Sequence, residues 1–179
     1  MQEDILKVLF TEEDIQVLVR KLAKQVERDY KGRNPLMICI LKGAVVFMTD
    51  FVRNIDDYVE MDFMDVSSYY GGTKSTGEVR IIKDVDTSVR DRDVILVEDI
   101  IDTGITLKSL MELFSHRGAK SVKVCSLFNK PSGRQEFVTA DYVGATVPDE
   151  FIVGYGLDYD GRYRNLPYIG VLKPEVYAK

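Results

Sequence analysis

Cysteine and histidine are scarce in this chain: Cys39 and Cys125 are the only thiols and His116 the only imidazole. The cysteines lie 86 residues apart, inside the apolar runs 37–41 and 122–125. They read as small buried hydrophobes, and no CxxC pair, Cys/His zinc site or disulfide framework can be assembled from them. His116 falls near the end of an expected helix, where an imidazole faces the negative end of the helix dipole. No serine sits in GxSxG, so a hydrolase elbow is excluded. No apolar run approaches the ~20 residues of a membrane-spanning helix. The first residues, Met1-Gln2-Glu3-Asp4, lack the basic-then-apolar order of a secretion signal. The expectation is a cytoplasmic protein with reduced thiols and no membrane partner. Positive charge is also in deficit, with 24 Lys+Arg against 29 Asp+Glu and a net charge of −5. A broad nucleic-acid-binding face is therefore not expected, and anionic ligands need a local, built site.

What is present reads as one α/β domain. The length, 179 residues, suits a single domain with a sizeable core. Thr11 and Asp14 form a capping-box pattern, and Ile15, Leu18, Leu22 and Val26 follow at helical spacing, predicting a helix over 11–30. Leu36 to Leu41 reads as a buried strand, and a second helix is expected over 44–52. Strands are expected at 58–67 and 78–83, separated by an exposed loop with three glycines. Val94-Ile95-Leu96-Val97 is continuously apolar, as in a parallel strand buried on both faces, so Asp93 to Val97 is expected to be a strand. A helix over 104–117 and a strand over 121–128 complete a βαβ unit. The last third, with short strands near 141–145 and 151–155, reads as a cap over the sheet edge.

The chemistry concentrates after the central strand. Glu98-Asp99-Ile100-Ile101-Asp102 puts three carboxylates in five residues and runs into Thr103-Gly104-Ile105-Thr106 at a helix start. Ligands bind beyond the carboxyl ends of parallel strands, and free N–H groups, hydroxyls and the helix dipole make such a turn a phosphate site. Glu98 and Asp99 could accept from two ribose hydroxyls, while the 103–106 turn holds a phosphate of the same sugar and a hard divalent ion neutralises the rest. Read alone, acids after a strand serve equally as helix caps or solvated loop residues. Walker A and GxGxxG loops are absent, and a receiver domain needs no phosphate turn beside its acids.

The segment Val97 to Gly104 resembles the 5-phosphoribosyl 1-pyrophosphate motif of the phosphoribosyltransferases. Four further segments narrow the resemblance to the short bacterial hypoxanthine(-guanine) type: Leu41-Lys42-Gly43-Ala44; Ser68-Tyr69 with Ser75-Thr76-Gly77; Asn129-Lys130-Pro131; and Phe151 to Tyr159 with Arg164. It covers roughly residues 10–175.

The resemblance implies a type I phosphoribosyltransferase fold, a central parallel sheet flanked by helices. The core is then about 36–130 and a small hood comprises the N-terminal segment and about 131–179. It implies Mg²⁺-dependent transfer of phosphoribose to a purine base, hypoxanthine and guanine first, by a homodimer or homotetramer. Glu98, Asp99, Asp102, Thr103, Gly104, Ile105 and Thr106 would bind the phosphoribosyl group. Lys42, Gly43 and Arg164 would bind pyrophosphate, with a non-proline cis peptide in the first loop. Lys130, Phe151, Ile152 and Asp158 would bind the purine, and Asp102 would be the general base. Asp158, Glu98 and Asp99 would serve the metal, and Ser68 and Tyr69 the lid. Two other readings remain at this point: a non-catalytic, RNA-binding regulator on the same fold, and a transferase for adenine or another base.

Overall fold

The computed structural model describes residues 1–68 and 79–178. Its elements are β1 (Ile5–Phe10), α1 (Glu12–Asp29), β2 (Leu36–Leu41), α2 (Val45–Arg53), β3 (Glu60–Ser68), β4 (Val79–Lys83), β5 (Asp93–Ile101), α3 (Ile105–His116), β6 (Ser121–Asn129), β7 (Tyr142–Thr146), β8 (Ile152–Val153), β9 (Ile169–Leu172) and α4 (Pro174–Tyr177). Six strands form the main sheet in the order β4-β3-β2-β5-β6-β7. All neighbours in it are parallel except β3 and β4. A second sheet, β1-β9-β8, is antiparallel and joins the two ends of the chain.

The strand pleat explains why the central strands carry unbroken apolar runs. Met37, Cys39, Ile95 and Val97 pack with Ile15, Val19, Phe47 and Phe51 of α1 and α2. The alternate residues Leu36, Ile38, Val94 and Leu96 pack with Leu107, Leu110 and Phe114 of α3. Each strand residue thus faces a helix layer on one side or the other. Both cysteines are buried and free. The α1 capping box forms as expected: Asp14 N–H donates to Thr11 Oγ1 at 3.2 Å and Thr11 N–H to Asp14 Oδ2 at 3.0 Å. Its apolar stripe is turned slightly from the expected one, with Val19 buried where Leu18 is only half-buried.

Three expectations change. Strand β5 runs to Ile101, not Val97, because Glu98 and Ile100 keep their places in the ladder opposite Ser126 and Phe128. The segment near 141–145 joins the main sheet as β7, parallel to β6, and is not part of the cap. The small sheet draws its first strand from residues 5–10, which carried no alternating pattern to announce it. That sheet shares its packing with the core, since Ile152, Ile169 and Val171 belong to the same apolar cluster as α1 and α2. Among the described residues no helix is long and apolar enough to cross a membrane.

Phe114 is fully buried between α3 and the sheet. Phe114→Ala is expected to cost about 3–5 kcal/mol of unfolding free energy, read from urea midpoints; a loss below about 1 kcal/mol would show that the α3 layer collapses to fill the space.

Candidate active site

The strand order reverses between β2 and β5, with β3 and β4 to one side and β6 and β7 to the other. Chains leaving two such strands depart to opposite faces and open a crevice at their carboxyl ends. Here β2 is continued by Lys42, Gly43 and α2, and β5 by Asp102, Thr103, Gly104 and α3. The Leu41–Lys42 peptide is cis, and the Lys42 side chain is exposed.

Glu98 and Asp99 serve opposite sides of this crevice. Glu98 lines a cavity of about 130 Å³ with Ile100, Ile101, Asp102, Thr103, Gly104, Thr106 and Leu107. That cavity lies at the start of α3, where Gly104 has φ +81° and Ile105 N–H donates to Thr103 Oγ1 at 3.4 Å. Asp99 turns toward the other loop: a Cβ added at Gly43 would overlap its carboxylate. A side chain at 43 would have to displace the Asp99 carboxylate.

Both acids are held away from water. Burial, reinforced by the neighbouring Asp99 charge, pushes the Glu98 carboxyl well above the usual carboxylate range. Its Oε2 is buried without a hydrogen-bond partner. Burial also pushes Asp99 up to about 6; the Ile100 N–H, donating at 2.7 Å, and the Arg164 charge pull the other way. A desolvated carboxylate with an unpartnered oxygen, as at Glu98, is a group suited to hydroxyl donors or a cation.

The second wall comes from the segment after β8. Gly156, at φ +101°, backs so closely on the Gly43 carbonyl that any side chain there would collide with it. Arg164 donates from Nη1 to the Gly156 carbonyl at 2.6 Å and pairs through Nη2 with Asp158 Oδ1 at 2.8 Å. Asp158 Oδ2 accepts from Gly161 N–H at 2.8 Å. Arg164, Asp158, Gly43 and Asp99 are thereby gathered on one side. Tyr155 donates its hydroxyl to Asp50 Oδ2 at 2.6 Å and anchors this wall to α2.

Lys130 and Phe151 stand together at the edge of a larger cavity of about 410 Å³, whose other walls include Leu6, Val171, Leu172 and Tyr177. Lys130 Nζ lies 3.2 Å from Asp149 Oδ1 and 3.3 Å from the Glu150 carbonyl. The Phe151 ring is 37% exposed and stacks on Tyr177 at 4.8 Å. Ile152 is buried in β8, opposite Val171. The Asp102 side chain is exposed at the pocket mouth, and its carboxylate lies against Gly133. Ser68 ends β3, and Tyr69 lies outside the described residues. Gly133, Arg134 and Gly156 carry no sequence signal of their own beyond being small or basic in a loop, and only the folded geometry picks them out.

The comparisons with known proteins agree with this geometry. The model of the phosphoribosyl transferase domain matches residues 9–160. A hypoxanthine-guanine phosphoribosyltransferase of Streptococcus thermophilus (strain CNRZ 1066) is 58% identical over 179 residues, all of this chain and 99% of that protein. Another, of Streptococcus pyogenes serotype M3 (strain ATCC BAA-595 / MGAS315), is 56% identical over the same spans. The crystal structure of a hypoxanthine phosphoribosyltransferase from Staphylococcus aureus, 52% identical, superposes with a TM-score of 0.96 over all of this chain and 97% of that one.

A carboxyl whose folded-state pKa lies above its unfolded value of 3.8 keeps its proton longer in the folded chain. Folded Asp99 therefore destabilises the protein progressively as pH rises from about 4 through about 6. Asp99→Asn removes that loss. In chelator, without substrate, the variant is expected to melt above wild type at about pH 7.5, the gap shrinking toward about pH 4; a gap that does not depend on pH would count against the desolvated acid.

Proposed function

Because the chain belongs to the phosphoribosyltransferase family, with full-length relatives of the hypoxanthine-guanine type, we propose that it catalyses purine salvage. A 6-oxopurine, hypoxanthine or guanine, displaces pyrophosphate from C1 of 5-phosphoribosyl 1-pyrophosphate and yields IMP or GMP. The observation that carries this reading is the opening of the carboxylate end of β5 onto a pocket at the α3 N-terminus, with a second, Arg164-bearing wall facing Gly43.

The 5′-phosphate sits in the turn of Thr103, Gly104, Ile105 and Thr106, where backbone N–H groups and the helix dipole favour an anion. Glu98 and Asp99 flank the ribose and accept from its hydroxyls, which supplies the partner that Glu98 Oε2 lacks. Pyrophosphate lies between Lys42, the Gly43 backbone and Arg164. As it departs, positive charge grows on the ribose ring, and the carboxylates beneath it oppose that charge where it develops. Phe151 offers a ring face to the base and Ile152 its backbone, with Asp158 at the purine edge. Lys130 donates to O6, which disfavours a 6-amino group. Asp102 takes or holds the proton at N7 as N9 attacks C1. Ser68 and Tyr69 are assigned to a lid that excludes water.

The donor set fits a magnesium ion. The candidates Asp158, Glu98 and Asp99 offer only oxygen. Among the described residues no three His, Cys, Asp or Glu groups converge into a cage. Magnesium is commonly held by one or two carboxylates, with water and substrate phosphates completing its shell. When bound there it would neutralise the leaving pyrophosphate. We read residues 1–179 as one transferase domain, working in the cytoplasm as a homodimer or homotetramer without nucleic-acid or membrane partners.

The test is to incubate the protein with 5-phosphoribosyl 1-pyrophosphate, Mg²⁺ and, separately, hypoxanthine, guanine, xanthine and adenine, and to follow nucleotide formation. Turnover of hypoxanthine or guanine but not adenine is expected. Asp102→Asn is expected to lower kcat by about 10²–10⁴ with little change in KM. Equal turnover of adenine would overturn the role of Lys130, and equal losses in kcat and affinity would overturn the role of Asp102.

A further inference from the structure

The loop after β6 doubles back across the end of β5. Lys130 N–H donates to the Ile101 carbonyl at 2.9 Å, and the N–H groups of Gln135 and Glu136 donate to the Thr103 carbonyl at 2.9 and 3.0 Å. Inside this turn lies Arg134. Its Nε donates to the Asp102 carbonyl at 3.0 Å, and its Nη2 to the Ile101 carbonyl at 3.4 Å. Nη2 also donates to Asn129 Oδ1, and Nη1 to the Val138 carbonyl. Among the described residues Arg134 pairs with no carboxylate. Its guanidinium is directed wholly at neutral oxygens, two of them on the backbone that carries Asp102 and one on the residue before Lys130. Neighbouring Gly133 lies against the Asp102 carboxylate itself, which a side chain there would displace.

We propose that Arg134 is a positioning residue, the staple that holds the Lys130 side of the purine site in register with the Asp102 side. The inference rests on the transferase reading, in which Lys130 and Asp102 meet O6 and N7, adjacent positions of one base. Two contacts so close on a rigid ring must keep their spacing, because a shift near 1 Å can cost about 100-fold in rate. Only a planar fork with several N–H groups can reach acceptors on both loops at once; a lysine ammonium is a point donor. The phosphate turn is tied separately, through Gln135 and Glu136 to Thr103. Loss of Arg134 should therefore disturb the base more than the phosphoribosyl group.

The experiment compares wild type, Arg134→Lys and Arg134→Ala by steady-state kinetics in both substrates, melting temperature, and assay with added guanidinium ion. Wild-type turnover is read first; no nucleotide from any base would overturn the transferase reading itself and this inference with it. With wild type active, Arg134→Lys is expected to raise KM for hypoxanthine about 10-fold and lower kcat about 10–100-fold, with KM for 5-phosphoribosyl 1-pyrophosphate within about twofold. Guanidinium at millimolar concentration is expected to restore part of the activity of Arg134→Ala and none to wild type. Unchanged kinetics, or equal losses for both substrates that track a fall in melting temperature, would overturn the inference. If Arg134→Ala does not fold, the split between the two KM values in Arg134→Lys decides alone.

Discussion

The parallel pairing of β2 with β5 is the constraint on which the site depends. Leu36 to Cys39 run beside Val94 to Val97, and the pairing brings the ends of the two strands together although the chain between them builds two other strands. One strand hands over to α2 and the other to α3, on opposite faces of the sheet. The crevice between them is a consequence of connectivity, not of any one side chain. It brings the Asp99 carboxylate against Gly43, where a side chain would displace it; Gly156, packed on the Gly43 carbonyl, is fixed by the same closeness. Two glycines and a carboxylate, far apart in sequence, thus share one steric origin.

The same crevice sets the electrostatics. Strand β5 carries its apolar run into the sheet centre and then, without leaving the ladder, places Glu98 and Asp99 where water is scarce. A stability-driven sequence would not put adjacent acids there, since burial raises the energy of each and their mutual repulsion adds to it. Local conflict of this kind marks function. The conflict is relieved by a ligand rich in hydroxyls and accompanied by cations, a description that fits a phosphoribosyl group with its metal.

Legibility in the sequence followed the physics of each element. Helix α1 was readable because its cap and its apolar stripe agree, and β5 because four apolar residues in a row fit a strand buried on both faces. The turn before α3 stood out as a candidate site because acids, hydroxyls and glycine stand within nine residues. The small sheet was not: β8 has two residues, and β9 is the four-residue Ile-Gly-Val-Leu, too short for periodicity, and both are held by partners remote in sequence. The segment near 141–145 reads as part of a cap because the last third of the chain is richer in Gly, Tyr and Asp; its place as β7 follows from pairing with β6, which local pattern cannot express. Arg134 is the clearest case. An arginine in a Gly- and Ser-containing loop looks solvated, and only the fold brings its four acceptors together, from the end of β5, the end of β6 and its own loop.

The small sheet explains why the two halves of the reaction can be handled by different parts of one chain. In the proposed assignment, phosphate and ribose contacts come from β5 and the α3 turn, elements fixed by the main core. In the same assignment, base contacts come from Lys130 and Asp102 after β6 and β5, and from Phe151 and Ile152 at β8, in the sheet that the chain's two ends build together. That sheet is not loosely hung. It shares an apolar cluster with α1 and α2, and Tyr155 bonds to Asp50, which also accepts from Gln16 at 2.9 Å. Gly156 then closes the contact at the very loop assigned to pyrophosphate. A change in the base wall is transmitted to the Gly43 loop through direct backbone contact, with no long relay. On the proposed assignment the base wall and the pyrophosphate loop are therefore mechanically joined on one side of the crevice, while the loop of Arg134 ties the Lys130 side to the turn before α3 on the other.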